Sequence, residues 1–283
     1  MEQKQSKAFW RYFKKNHLAV GGLFLVVVIF TIALLASLLS PYDPGKTNVS
    51  LKLKPPSGHN LLGTDQLGRD VFSRMLHGSR ISLTVGFIAV GISILIGILV
   101  GATAGYYGSW IDSLLMRFVD TMLCFPSFFL ILTVVALMGP SLINIMIVIG
   151  VTSWMGTARF VRAEFLSLRE RDFVQAARSL GVKDLRIIFR HILPNALAPV
   201  FVTATLSVAS AILVEACLSF LGFGVQPPAP SWGNILTEGR TYIFDAWWLT
   251  VFPGLAILLT VLSFNLVGEG LRDALDQRLR GRR

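Results

Sequence analysis

The side chains best able to do chemistry are few and scattered. Gly45-Lys46-Thr47 has the ending of a phosphate-binding loop, in which a lysine and a hydroxyl meet a nucleotide's phosphates and magnesium. The leading glycine of such a loop would fall at position 40, which is Ser40, and Pro41 and Pro44 interrupt the segment. An ordinary turn is expected there, and no nucleotide or other cofactor in this chain. His17, His59, His77 and His191 are far apart, so metal-ligand spacing is missing. Cys124 and Cys217 lie inside apolar runs and read as packing residues, not as a disulfide framework. Glu215 is different, because it is a carboxylate in an apolar run with no obvious partner nearby in sequence. Arg117 and Asp120 stand at i, i+3 ahead of Pro126 and read as an ion pair. Asn144 and Asn265 read as hydrogen-bonding residues between helices.

The elements that hold these residues follow from composition. Of 283 residues, 53% are hydrophobic and 15% charged, against about a quarter charged in soluble domains. Mean hydropathy is +0.64. A helix needs about 20 apolar residues to cross a hydrocarbon core about 30 Å thick. The runs here are too long for barrel strands, and helices alone then satisfy their backbone. An all-α integral membrane protein with about six transmembrane helices is expected, at 18–40, 81–106, 118–138, 142–160, 196–221 and 247–268. The first run is too long for a signal-peptide core and lacks a small-residue cleavage site, so it reads as a retained helix. Gly97, Gly101 and Gly105 recur every four residues, which lets helices approach closely. A charge at the bilayer centre costs about 2.5–3.5 kcal/mol on insertion scales. That cost makes Glu215, placed near the outer end of its span, a candidate for a solute pathway or outer gate.

Orientation follows from the basic residues. With the N-terminus inside, nineteen of the 26 lysines and arginines fall on the cytoplasmic side. Lys46, Lys52, Lys54, Arg69, Arg74, Arg80 and Arg240 fall outside. The chain then divides into a cytoplasmic segment 1–17, the first helix 18–40, an extracytoplasmic loop 41–80, a core 81–268 that includes the loop 162–194, and a basic cytoplasmic tail 269–283. The net charge of +10 is therefore a topology signal with some contact to anionic membrane lipids, not a nucleic-acid footprint. Trp10 and Tyr12 at the inner edge, and Trp247 and Trp248 at the outer edge, fit aromatic belts.

The loop 162–194 is the informative cytoplasmic segment. Asp172, with Gln175 three residues later, has the pattern of a capping box. Phe173, Ala176, Ala177 and Leu180 follow at i, i+3, i+4 and i+7, forming one apolar stripe. Gly181 is placed to stop the helix. Asp184 is placed to cap a second helix, 185–193, ended by Pro194. A short helix held in the cytoplasm with small residues on its face suits close approach to a partner.

These residues also resemble a known signature. Gln175-Ala176-Ala177, three residues, Gly181, nine residues and His191-Ile192-Leu193-Pro194 is similar to the EAA loop of ABC-importer permeases, with Gln175 in place of the usual Glu and His191 in place of the usual Ile. Gly63-Thr64-Asp65-Gln66-Leu67-Gly68-Arg69-Asp70, the stretch from Leu218 through Gly224 to Gly233, and Phe264-Asn265-Leu266 with Gly270-Leu271-Arg272-Asp273 resemble the C-type subunit of oligopeptide and dipeptide importers. Nickel and glutathione systems share these signatures.

The resemblance implies a type I importer permease fold in a bacterial inner membrane, with both termini cytoplasmic. It implies a homologous second permease enclosing one pathway, and two cytoplasmic ATPases that bind ATP and magnesium. It also implies an extracytoplasmic solute-binding protein. Phe173, Gln175, Ala176, Ala177, Leu180 and Gly181 would form the coupling helix seated in an ATPase groove. Two other classes compete. A secondary transporter would show repeated halves or broken helices with intramembrane ion ligands, and a membrane-embedded enzyme would need convergent catalytic groups. The sequence displays neither pattern.

Overall fold

The computed structural model describes residues 10–280, with side chains to position 275. The described chain is helical throughout its apolar parts. Helix α1 (His17–Leu34) starts where the Asn16 side chain accepts from the Ala19 N–H at 3.1 Å. After an outer loop, α2 (Val71–Tyr107) runs for 37 residues, about 55 Å at 1.5 Å per residue. That exceeds the membrane core, so its first turns stand above the apolar stretch. Asp70 caps it, accepting from the Ser73 N–H at 2.8 Å. Helices α3 (Ser109–Leu123), α4 (Ser127–Met138), α5 (Leu142–Thr152) and α6 (Trp154–Arg169) follow. Next come α7 (Asp172–Ser179), α8 (Asp184–Ile187), α9 (Leu193–Phe220), α10 (Trp232–Arg240) and α11 (Trp248–Arg280).

Among the described residues, five helices are long and apolar enough to span, or six if the bent pair α3 and α4 counts as one. At the expected third span, α3 and α4 are together long and apolar enough to cross but bend by 81° between Leu123 and Ser127, the shape of a broken span or a re-entrant loop. Pro126 lacks an N–H and disfavours helical backbone at Phe125. The last turn of α3 tightens instead, with Cys124 N–H donating to Thr121 O and Phe125 N–H to Met122 O. One of the two features expected to be missing, a broken helix, is therefore present.

Pro194 does the opposite of what was expected. The chain passes from α8 through a π turn (Ile188–Ile192) into α9 without ending. The wider turn lets Leu193 N–H donate to Ile188 O, and the proline sits in the first turn of α9, where no N–H is needed.

The centre of the bundle is α2. Its Gly97, Gly101 and Gly105 face α6, where an added Cβ would lie 2.6 Å from Thr157, 2.4 Å from Ala158 O and 2.6 Å from Phe165. That contact is the close approach the spacing predicts. The first and last helices also touch. A Cβ on Gly22 of α1 would lie 2.9 Å from Leu266, and one on Gly270 of α11 would lie 2.2 Å from Ala19. One apolar core joins α2, α4, α5 and α9 through Val85, Ala89, Val135, Ile149 and Ile212. A second, toward α7, joins Val161, Phe165, Ile187 and Ile192.

Other expectations are corrected by packing. Cys124 and Cys217 are exposed on this chain, not packed inside it. Asp120 pairs with Arg159 of α6, not with Arg117. Trp248 is buried and donates from its indole N–H to Thr64 O at 3.1 Å, so only Trp247 suits an interfacial belt. Gly45 forms an ordinary turn in which its N–H donates to Asp43 Oδ1 at 2.7 Å.

Candidate functional site

Helix α7 is held from below and open above. Arg171 occupies its N-cap, and Asp172 is its first residue and makes no capping hydrogen bond. The capping box expected at Asp172 and Gln175 does not form; the Gln175 side-chain amide donates to Arg169 O at 3.3 Å instead. At the other end Gly181 has φ +73°. Gly181 N–H donates to Arg178 O at 2.9 Å and Val182 N–H to Ala177 O at 3.1 Å. This pair of bonds is the Schellman stop, as the glycine predicts.

The stripe expected on α7 splits between two faces. Val174 and Ala177 are buried against Phe165, Ile187 and Ile192, and burying Val174 contributes about 1.5–3 kcal/mol. Phe173, Gln175 and Ala176 point outward, as does Leu180, which is 83% exposed. Ala177 therefore packs on its own chain and is not on the outward row. The reason is the direction of approach: the helix lies on α6 by its 174/177 edge. Leu185 and Phe189 extend the exposed apolar surface past the turn. Polar braces fix the underside. Tyr106 O–H donates to Asp184 Oδ1 at 2.6 Å, and the Arg178 guanidinium sits 5.3 Å from the Tyr106 ring centre. Arg169 donates to Tyr106 O at 3.1 Å.

Glu215 is fully buried in α9. Among the described residues it meets no cation, but it has hydroxyl partners. Ser219 and Ser231 hydroxyls donate to Oε1 at 2.8 Å and 3.0 Å, and Ser82 donates to Oε2 at 3.4 Å. Ser231 also caps α10, accepting from Asn234 N–H at 3.2 Å in a full capping box. Glu215 thus joins α2, α9 and α10 inside one chain, and its carboxylate reaches no open surface of it.

Sequence reasoning singled out no charge cluster in the outer loop. Asp65, Arg69 and Arg74 are buried and meet Glu238 of α10. Arg69 Nε donates to Asp65 Oδ2 at 2.6 Å, and Arg69 Nη2 donates to Glu238 at 3.0 Å. Two cations and two carboxylates balance, which is what makes their burial tolerable. The signal was present in the stretch from Gly63 to Arg74. Its Gly68 has φ +70°, and a Cβ there would lie 1.8 Å from Asn48 O, so only glycine closes this loop.

An outward apolar row on a braced loop helix, beside a long-helix bundle, accompanies a match over residues 81–281 to the binding-protein-dependent transport system inner membrane component model. The chain belongs to this family. Residues 4–56 of this permease also match the N-terminal transmembrane domain of oligopeptide transport permease C. It is 47% identical to a dipeptide transport system permease protein of Alkalihalophilus pseudofirmus, over 96% of this chain and 89% of that one. The same identity holds to a di/tripeptide transport system permease protein of Pseudomonas aeruginosa, over 97% and 92%. A glutathione transport system permease protein of Pectobacterium atrosepticum is 42% identical over 97% and 91%. In fold, this permease is similar to the MetNI methionine ABC transporter solved in inward-facing conformations. The TM-score is 0.53 at 18% identity, over 70% of this chain and 95% of that one. The permease is a multi-pass membrane protein with the type I ABC importer fold.

Proposed function

We propose that this permease imports di- or oligopeptides, forming the pathway with a homologous second permease and drawing energy from two cytoplasmic ATPases. An extracytoplasmic solute-binding protein delivers the solute. Both termini are cytoplasmic, which the skew of basic residues supports. ATP and magnesium bind on the partner ATPases. Closure of those ATPases pushes α7, and α7 passes the movement to α6 and α2 through Val174, Ala177 and the Tyr106 braces. The observation that carries this reading is the row Phe173, Ala176 and Leu180, exposed on a helix whose other edge is locked to the bundle. The relatives whose names specify dipeptides and di/tripeptides support the solute class. A glutathione system among the relatives supports a second reading, in which the solute is glutathione or another small molecule.

The test separates the two edges of α7. Leu180→Asp puts a charge on the outward row, where a docked partner would desolvate it at a cost of several kcal/mol. The permease's own thermal unfolding should stay within about 0.5 kcal/mol, as for exposed positions generally. Co-purifying ATPase should fall by about tenfold or more, equivalent to about 1.4 kcal/mol, and uptake in vesicles should fall with it. Full association and full uptake would remove α7 as the coupling element.

A further inference from the structure

The surface of the bundle is not uniform. On α1 the exposed side chains include Leu18, Phe24 and Val27, and on α11 Leu255, Leu258 and Leu262. Such large apolar faces suit lipid tails. Helix α6 differs. Its N-cap Ser153 and its exposed positions Gly156, Arg159, Ala163 and Ser167 recur at helical spacing and are small or polar. A Cβ on Gly156 would meet nothing within 4 Å. Helix α3 with its C-cap Cys124 carries an exposed polar row, Arg117, Asp120, Thr121 and Cys124, at helical spacing, beside exposed Leu114 and Phe118.

The two rows meet at one ion pair. Arg159 Nη2 donates to Asp120 Oδ1, and the two side chains are 52% and 58% exposed. The pair adjoins Val119, Met122 and Trp154, which share an apolar cluster with Ile96 and Val100 of α2, inside the span expected at 81–106. A half-exposed charge pair at that depth belongs against water, not hydrocarbon. The pair also adjoins the break after Leu123, where irregular backbone is tolerated only beside protein or a water-filled cavity.

We propose that Asp120 and Arg159 form a solute-contact point on the wall of the pathway, where Asp120 meets the free ammonium and Arg159 the free carboxylate of a short peptide. This rests on the importer reading above. Charge complementarity selects the occupant: a dipeptide bears both charges in water, and lipid tails bear neither. The pair exchanges its internal hydrogen bond for two charge-assisted bonds to the passing solute.

The experiment uses the assembled complex in lipid nanodiscs. In a Cys217→Ser background, Cys124, whose Sγ lies 3.3 Å from Asp120 O, is the reporter thiol of this chain. Its modification by anionic sulfonatoethyl methanethiosulfonate is followed by mass spectrometry. Phe24→Cys, with both native cysteines changed to serine, gives the lipid-facing rate. Cys124 should react about tenfold faster or more, because only a hydrated thiol ionises readily. In vesicles, Arg159→Gln and Asp120→Asn should each raise the KM for alanyl-alanine by about tenfold, and Arg159→Lys by less. Reaction at the lipid-facing rate would mean that lipid or the second permease covers this face, and would overturn the inference. So would rapid labelling with an unchanged KM. Loss of ATP-dependent alanyl-alanine uptake in the unaltered complex would instead overturn the peptide reading, and the inference with it.

Discussion

Glu215 and the outer charge cluster show two ways of burying a carboxyl group inside this protein. Asp65 is offset by arginines, whereas Glu215 is offset by three hydroxyl donors and no cation. Removing the carboxylate leaves the buried Ser219 and Ser231 hydroxyls without this acceptor, and an unmet buried group costs about 1–3 kcal/mol. Glu215→Ala is therefore expected to destabilise the chain by about that amount, read as thermal unfolding of the complex in mild detergent. Glu215→Gln keeps the volume and one acceptor oxygen, so its loss should be less than half as large. Normal unfolding with abolished uptake in Glu215→Ala would support a pathway or gate role for this residue. The carboxylate itself was visible in the sequence, but its partners were not, because Ser82 lies 133 positions away.

The elements depend on a few stop signals, and these were unequally legible. Gly181 stops α7 as its position implies, because a left-handed residue after a helix is a local property of the backbone. Its φ is +73° and an added Cβ would meet nothing within 4 Å, so conformation alone restricts the site. Gly181→Val is expected to weaken ATPase co-purification by straining the turn by about 1 kcal/mol or more. Gly181→Asn, which tolerates that conformation better, should fall between Gly181→Val and the parent chain. Equal co-purification for all three would show that the turn does not position α7. Pro126 and Pro194 were not distinguishable in the same way. Both remove an N–H, yet one ends a helix at an 81° bend and the other lies in a helix that a π turn keeps continuous. Packing decides between them: Ile187, Ile188 and Ile192 beside the second proline are anchored in a core, while the segment 123–127 is exposed.

The whole molecule combines a bundle whose first and last described membrane helices, α1 and α11, touch with an outer loop clamped onto α10 by four charges. If the skew of basic residues sets orientation, a reporter fused after Arg283 should read cytoplasmic and one inserted at Ser57 extracytoplasmic. The same compartment at both sites would refute the even number of spans, and with it the treatment of α3 and α4 as one broken span.

Membrane residence, the number of membrane spans to within one, the small-residue seam on α2 and the stop of α7 were determined by the sequence itself. Each depends on local composition or spacing along one element, which folding does not alter. The sorting of residues between faces was decided only by tertiary structure. Ala177 turned inward, Cys124 outward, and Asp120 found Arg159 instead of Arg117, because a helix's facing depends on which neighbour it packs against. The burial of Asp65, Arg69 and Arg74 against Glu238 was decided there too, since unpaired buried charges are costly and become tolerable when a distant segment supplies the opposite charge.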